Sequence, residues 1–261
     1  MLRTRILTAA VALPTVLAIV LFFPNPLFTL FIASIGAWAL YEVAGMTRAR
    51  SFAEISLLVV TGGVPLIGLL ATNHPYPGAA GAVGVAMLLL IVHVAEKGPE
   101  SGPHGAPLTL LGAVYVGALY PYFALLRNGP NGIALIVAML LLVVVTDSGA
   151  YFTGRSIGKH KMMPKVSPNK TIEGAVGGIV SCLVAGLMLK PMLLADWTID
   201  RVIVMSTIVS ILAQIGDLAG SALKRASGVK DSGWIFPGHG GLIDRTCSLV
   251  FAAAFTYYYA G

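Results

Sequence analysis

The stretch Leu140-Leu141-Leu142-Val143-Val144-Val145, followed by Thr146 and Asp147, decides the fold class. Its apolar residues are continuous and do not alternate with polar ones, which excludes a strand of a membrane β-barrel. The same character extends over the chain of 261 residues, of which 57% are apolar and only 11% charged. Soluble domains carry roughly 25% charged residues. The composition therefore excludes a soluble enzyme and a disordered chain, and it predicts a polytopic membrane protein.

Outward from this stretch, the chain divides into nine apolar segments, each near the ~20 residues that a membrane-spanning helix needs. The predicted spans are 5–23, 26–46, 53–72, 77–96, 106–126, 131–147, 172–190, 200–222 and 245–260. We therefore predict an all-α, polytopic integral membrane protein with about nine transmembrane helices. Residues 1–130 would form a scaffold and a dimer contact. Residues 131–261 would carry the catalytic loops.

The basic residues predict how these spans are oriented. With the N-terminus in the cytoplasm, 14 of the 17 Lys and Arg residues fall on the cytoplasmic side. The three on the opposite side are Arg127, Lys190 and Arg201. Such a bias is typical of cytoplasmic loops in bacterial membranes. We expect a multi-pass protein of the inner (cytoplasmic) membrane with its polar segments, 147–171 and 217–245, facing the cytoplasm.

The net charge and the cysteines narrow the function classes further. The formal net charge of +6 is small and no run of like charges occurs, so nucleic acid is not an expected partner. The two cysteines, Cys182 and Cys247, form no CxxC motif. Cys182 shares a four-residue spacing with Gly174, Gly178 and Gly186, which predicts a helix-packing face.

The eighth span carries polar side chains at spacings that place them on one helical face. They are Ser206, Ser210, Gln214, Asp217, Ser221 and Lys224. Because a polar stripe is costly against lipid, it should face a partner helix or a watery cavity. We expect a cavity that opens sideways to admit a lipid headgroup. A polar seam between two helices is the alternative.

A second group of candidates follows the sixth span, which we expect to end at Asp147. Arg155, the hydroxyl residues near it and Lys170 can donate hydrogen bonds to phosphate, and Lys170 lies at the N-terminus of the seventh helix, where backbone N–H groups favour anions. This is neither a Walker A loop nor a GxGxxG motif. Taken alone, Asp147 could equally be a helix end that meets water.

The segment from Ser221 to Arg245 is the densest in charge. Its carboxylates, together with Asp217, are hard oxygen ligands suited to Mg²⁺, which takes one or two of them and completes its shell with phosphate and water. Its cations can neutralise a polyphosphate. His239 fits a general base, a phosphate donor or a turn residue equally well. The ionisable residues are Asp217, Lys224, Arg225, Lys230, Asp231, His239, Asp244 and Arg245.

Read from Ser221 to Arg245, the pattern S-x-L-K-R-x4-K-D-x-G-x2-F-P-G-H-G-G-x-x-D-R closely resembles the signature of the phosphatidate cytidylyltransferase (CDP-diacylglycerol synthase) family. The blocks Asp147–Tyr151 and Ser167–Gly174 look like two further blocks of that family. Trp38 to Glu42 fits more loosely. The resemblance covers most of the chain.

The resemblance implies a reaction in which phosphatidic acid attacks CTP, giving CDP-diacylglycerol and pyrophosphate in phospholipid synthesis. It also implies Mg²⁺ dependence, with a second cation left open, and often a homodimer among membrane lipids. Asp217 and Asp244 would hold Mg²⁺, with Lys224 and Arg245 as catalytic cations. Substrate-binding candidates are Asp147, Arg155, Lys170, Glu173, Ser221, Arg225, Lys230, Asp231 and His239.

One position departs from the family pattern, which ends D-R-x-D where this chain has Asp244-Arg245-Thr246-Cys247. A thiol is a soft ligand poorly matched to Mg²⁺. The cysteine is either a natural variant in which Asp217 and Asp244 suffice, or an engineered substitution that lowers activity or provides a labelling handle. Of the possible outcomes, we expect impaired or altered metal binding. Two rivals to the expected function stay open: a related lipid kinase or CDP-archaeol-type synthase, and a transporter, although repeated halves typical of transporters are not evident in the sequence.

Overall fold

The computed structural model describes residues 14–49, 52–72, 105–235 and 240–261, together with 83, 87, 91, 94–96 and 98. These residues are almost entirely helical, as predicted. The helices are α1 (14–22), α2 (Asn25–Thr47), α3 (Phe52–Leu58), a π-helix (Val59–Gly63), α4 (Val64–Thr72), α5 (Ala106–Leu119), α6 (Pro121–Asn128), α7 (Gly132–Ile157), α8 (Ile172–Leu193), α9 (Ile199–Ala226) and α10 (Ile243–Ala260). Strands β1 (Lys161–Met163) and β2 (Ser167–Thr171) pair antiparallel.

Six helical segments within the described residues are long and apolar enough to cross a membrane. They are Asn25–Thr47, Glu54–Thr72, Pro107–Asn128, Gly132–Ile157, Ile172–Leu193 and Ile199–Ala226. A multi-pass membrane protein is therefore confirmed, while the count of nine stays a prediction. Parts of the spans 5–23 and 77–96 lie outside the described residues. The predicted ninth span forms α10, whose Arg245 and three tyrosines make it less apolar than the six.

The end of the sixth span was predicted wrongly. Helix α7 does not stop at Asp147 but continues for ten more residues to Ile157. The chain then turns through the β1–β2 hairpin into α8, so residues 147–171 are not an irregular polar loop. The helix continues past Asp147 because its small residues pack closely against α8. A Cβ added at Gly149 would lie 2.6 Å from Ser181 Cβ, and one at Gly154 would lie 3.5 Å from Gly174 Cα.

Helices α7, α8 and α9 pack closely because α8 presents a row of small residues. Its buried residues are Gly174, Gly178, Cys182 and Gly186, which confirms the packing face predicted around Cys182. A Cβ added at Gly186 would lie 1.9 Å from Ser206 Oγ of α9, and one at Gly178 would lie 3.0 Å from the Thr146 carbonyl of α7. This row fixes where α7 and α9 meet β2, and so positions the polar residues at that end of the bundle.

Candidate active site

Two lysine–carboxylate pairs form the centre of the candidate active site, at the C-terminal end of α9. Asp217 and Lys224 are seven residues apart and therefore lie on the same face of α9. Lys170, at the end of β2, approaches that face, and its Nζ lies 2.8 Å from Asp217 Oδ2. The Lys170 and Asp217 side chains keep 25% and 40% of their surface exposed. This pair is open to a ligand from the solvent side.

The second pair joins Lys224 to Asp244 at the first turn of α10, and both side chains are largely enclosed. Asp244 also accepts hydrogen bonds from the backbone N–H groups of Ser232 (2.8 Å) and Gly241 (2.9 Å). Burial raises the pKa of Asp244, but the Lys224 ammonium and these two N–H groups outweigh it and hold the pKa below its usual range. Asp244 is therefore held ionised by the chain itself.

Asp147 and Arg245 complete the cluster from two other elements. Asp147 is exposed on α7, close enough to Asp217, Lys170 and Arg245 for their charges to act on it. Arg245 follows Asp244 on α10 and is also exposed. The sequence-predicted residues Asp147, Lys170, Asp217, Asp244 and Arg245 thus meet at one end of the bundle, although they come from α7, β2, α9 and α10.

Cys247 lies between the two pairs. Its Sγ is 3.8 Å from Asp217 Oδ1 and 3.9 Å from the Asp244 carbonyl oxygen, and the residue is buried against α9. An Asp at this position would place a third carboxylate beside Asp217. Among the residues that the structure describes, no group of three or more His, Cys, Asp or Glu side chains is arranged so that it could hold a metal ion.

Several predicted substrate-binding residues lie away from this centre. Glu173 accepts from His160 Nδ1 at 2.6 Å, and Arg155 donates to the Tyr151 hydroxyl at 2.8 Å. Arg225 and Lys230 line an open cavity beside Arg48, the residue that follows α2. Their positive charges face a different opening from that of Lys170.

The remaining predicted residues are less constrained by contacts. Ser221 is half-buried on α9 between Asp217 and Lys224, and Asp231 is exposed in the connection before α10. His239 lies outside the described residues, so its three possible roles, as a general base, a phosphate donor or a turn residue, stay predictions.

The polar stripe of α9 proved to be two different features. Ser206 and Ser210 are fully buried, and Gln214 Nε2 donates to the Ala175 carbonyl of α8 at 3.2 Å. The expectation that the whole stripe lines a cavity was therefore wrong. Its first half is the polar seam given as the alternative, because the glycine row of α8 brings the two helices together there. Only the end with Asp217 and Lys224 belongs to the site.

Sequence reasoning did not identify two residues that organise the site, Glu42 and Ser232. The Ser232 hydroxyl lies 2.7 Å from Glu42 Oε2 and 3.1 Å from Asp244 Oδ2. A signal was available, because Glu42 is the one acidic residue in the predicted span 26–46 and a carboxylate in a membrane helix is seldom without a role. The sequence indicates only the loose family resemblance of Trp38 to Glu42 and no role for the carboxylate, because its partners are about 190–200 residues away in sequence.

Comparison with known proteins decides the family. A model of the cytidylyltransferase family matches residues 3–261. The chain belongs to the cytidylyltransferase family. Among curated relatives, the phosphatidate cytidylyltransferase of Bacillus subtilis (strain 168) is 36% identical, covering 98% of this chain and 97% of the relative. That of Staphylococcus haemolyticus is 34% identical, covering 96% and 95%. That of Brucella suis biovar 1 is 36% identical, covering 98% and 92%.

Membership of the cytidylyltransferase family confirms the resemblance drawn from the 221–245 pattern. The match extends over α1 to α10, so the N-terminal helices belong to the family fold as much as the charged C-terminal part does. The two lysine–carboxylate pairs of this cytidylyltransferase-family protein therefore lie within a whole-length match rather than in an isolated motif.

Proposed function

We propose that this cytidylyltransferase-family protein transfers the CMP group of CTP to phosphatidic acid, giving CDP-diacylglycerol and pyrophosphate. The observation that carries the proposal is the similarity to phosphatidate cytidylyltransferases over nearly the whole chain. The structure supports it because cations and carboxylates suited to a metal-bound triphosphate gather at one end of apolar helices. A lipid phosphate and a water-soluble nucleotide can meet only at such a boundary.

The donor set of the site fits Mg²⁺. Asp217 has a partly exposed carboxylate and Asp147 lies nearby on an exposed position of α7, and Mg²⁺ usually takes one or two carboxylates together with substrate phosphates. We infer that Asp217 would hold the ion, with Asp147 as the second carboxylate and Asp244 behind them. Bound Mg²⁺ would supply neutralisation of charge on the triphosphate. The sequence predicted Asp217 and Asp244 as the two Mg²⁺ ligands. We replace Asp244 with Asp147 in that role, because the Asp244 carboxylate already accepts from four donors.

The chain's own cations position the reacting groups. Lys170 is partly exposed beside Asp217, and Arg245 is exposed at the first turn of α10. Their ammonium and guanidinium groups would hold the phosphates in line and stabilise the charge that develops on them. The phosphatidate oxygen attacks the α-phosphorus, one P–O bond forms, and the bond to the pyrophosphate oxygen breaks. Because the phosphate is already ionised near neutral pH, the step requires no strong general base.

The orientation and assembly belong to the same proposal. We propose that the Lys170–Asp217 end faces the cytoplasm of the inner membrane, since CTP is a cytoplasmic nucleotide. Arg201 lies at the other end, where it donates to the Tyr259 carbonyl at 2.9 Å. The protein would work as a homodimer through its N-terminal helices. Lys161→Cys and Asp196→Cys test the orientation with a thiol label that does not cross the membrane of sealed vesicles. The two cysteines should lie on opposite faces, so a label added to one side should react with only one of them.

The function is tested with purified protein, Mg²⁺ and CTP labelled at either the α- or the γ-phosphate. Phosphatidic acid, a polyprenol or an unsaturated ether-linked glycerophosphate is the acceptor. The proposal expects α-label, and no γ-label, in lipid with phosphatidic acid. Transfer of γ-label would indicate a lipid kinase, and preference for the ether lipid an archaeol-type synthase. Solute flux into vesicles without nucleotide would indicate a transporter.

A further inference from the structure

Glu42 of α2 is a buried carboxylate whose hydrogen-bonding capacity is filled by the segment that leads into α10. The residue is 4% exposed. Oε1 accepts from the backbone N–H of Leu242 at 2.7 Å and from Trp38 Nε1 at 3.2 Å. Oε2 accepts from the Ser232 hydroxyl at 2.7 Å and from the backbone N–H of Ile243 at 3.0 Å. Four donors therefore surround one carboxylate within the apolar bundle.

The two backbone donors identify what Glu42 does to α10. Leu242 and Ile243 stand at the start of that helix, where N–H groups have no partner within the helix. A carboxylate there satisfies two of them and interacts favourably with the positive end of the helix dipole. Glu42 thus caps α10 from a helix about 200 residues away in sequence.

The loop before α10 is shaped around this carboxylate. A Cβ added at Gly241 would lie 2.2 Å from Ser232 Oγ and 2.6 Å from Glu42 Oε1, and one at Gly233 would also lie 2.6 Å from Glu42 Oε1. Only glycine fits at either position without displacing Glu42 or the loop. The close approach makes the loop conformation depend on the Glu42 side chain.

Two residues, Ser232 and Gly241, connect Glu42 to the reactive cluster. Ser232 contacts both Glu42 and Asp244, while Asp244 pairs with Lys224. Gly241, pressed against Glu42, also donates its N–H to Asp244. A change at Glu42 therefore reaches Asp244 and Lys224 through two independent contacts.

We propose that Glu42 is a positioning residue for nucleotidyl transfer, which fixes the start of α10 together with Ser232, Gly233 and Gly241 so that Asp244, Lys224 and Arg245 are held in their working arrangement. The proposal rests on the function proposed above. It assigns a role in catalysis to the N-terminal helices, beyond scaffolding. Glu42 itself touches no substrate.

The test compares Glu42→Gln with wild type in the CMP-transfer assay. The amide matches the carboxylate in size, but its NH₂ group would face two of the four donors. We expect kcat to fall by about 10-fold or more, since small misplacements of catalytic groups cost up to ~10²-fold. The KM for phosphatidic acid should change by less than ~2-fold, because Glu42 does not contact the lipid. Backbone amide exchange at Leu242 and Ile243 should become faster.

A matched control removes a different buried hydrogen bond of the same helix. Thr109→Val breaks the 2.8 Å contact with Thr47 of α2 and leaves the loop untouched. It should lower thermal stability while keeping kcat and the exchange at Leu242 and Ile243 near wild type. An equal fall in kcat in Thr109→Val would overturn the proposal, because it would show a general effect of loosening α2.

A second variant keeps the proposal testable if Glu42→Gln does not fold. Ser232→Ala deletes only the hydroxyl shared with Asp244, and we expect a smaller fall in kcat in the same direction. The double variant should lose less than the product of the two single losses, since both act through one loop. Wild-type kcat in Glu42→Gln, or unchanged exchange at Leu242 and Ile243, would refute the proposal. An inactive wild type would instead refute the proposed function.

Discussion

The two lysine–carboxylate pairs of the site have the same chemistry and opposite surroundings. Lys170–Asp217 joins β2 to α9 and leaves 40% of the Asp217 side chain exposed. Lys224–Asp244 joins α9 to α10 and leaves 4% of the Asp244 side chain exposed, with Ser232 and Gly241 as further donors. An exposed ion pair can exchange its partner for a ligand, whereas a buried one is expensive to open.

The difference assigns separate tasks to the two pairs. The open pair is suited to bind phosphate and Mg²⁺, since its groups can be reached without unfolding anything. The enclosed pair is suited to hold the loop and the first turn of α10 in place. Four changes test this distinction, and their expected effects on activity decrease from Asp217→Asn to Cys247→Asp.

Asp217→Asn should have the largest effect. It removes the charge of the open carboxylate, and we expect a loss of CMP transfer on the order of 10³-fold, as for removal of a preorganised electrostatic group. The measurement is incorporation of α-labelled CTP into lipid. The control Asp196→Asn removes an exposed carboxylate from the α8–α9 connection and should be fully active. Wild-type activity in Asp217→Asn would remove this residue from the centre of the site.

Lys224→Met should reduce both stability and activity. It leaves the enclosed Asp244 carboxylate without its ammonium partner, which should cost about 3–5 kcal/mol of unfolding free energy. Activity should fall about 10²-fold as the start of α10 shifts. Thermal unfolding in detergent and the transfer assay measure the two effects.

A double variant separates the two effects of Lys224. Lys224→Met combined with Asp244→Asn removes both charges, so we expect part of the stability to return while activity stays low. If the double variant is no more stable than Lys224→Met alone, the two residues do not act as an enclosed pair.

Lys170→Met should affect activity with little effect on stability. Its pair with Asp217 is exposed, so it stabilises the fold little. A hydrogen bond to a charged group contributes about 1.5–3 kcal/mol, so loss of the phosphate contact should cost about 10- to 100-fold in kcat/KM for CTP. Lys190→Met, near the opposite end of α8, is the matched control. A large fall in thermal stability would show that this pair is structural as well.

Cys247→Asp should have the smallest effect, and in the opposite direction. It places a hard oxygen ligand beside Asp217, where the thiol Sγ now lies 3.8 Å from Oδ1. We expect a gain of a few-fold in turnover when Mg²⁺ is limiting and little gain at saturation. A Mg²⁺ titration of initial rates measures it. Unchanged activity at every Mg²⁺ concentration would contradict the view that the cysteine alters metal binding.

The sequence named candidate site residues but did not predict their arrangement. Asp147, Lys170, Asp217, Asp244 and Arg245 were all candidates, and the structure brings them together. The extension of α7 past Asp147 was missed because its polar residues read as a loop when their packing partners are unknown. The burial of Ser206 and Ser210 was missed for the same reason, since a polar stripe looks alike against water and against a glycine-rich helix.

The sequence alone determined that this is a helical membrane protein, and it predicted that the chemistry lies in a charged C-terminal segment. Both follow from local composition and from spacing along one helix, which need no knowledge of distant contacts. The contacts among the helices and β2 show which pair is open, which is enclosed, and that Glu42 caps α10. Those properties depend on desolvation and on donors supplied by other helices, and a single helix carries no record of what packs against it.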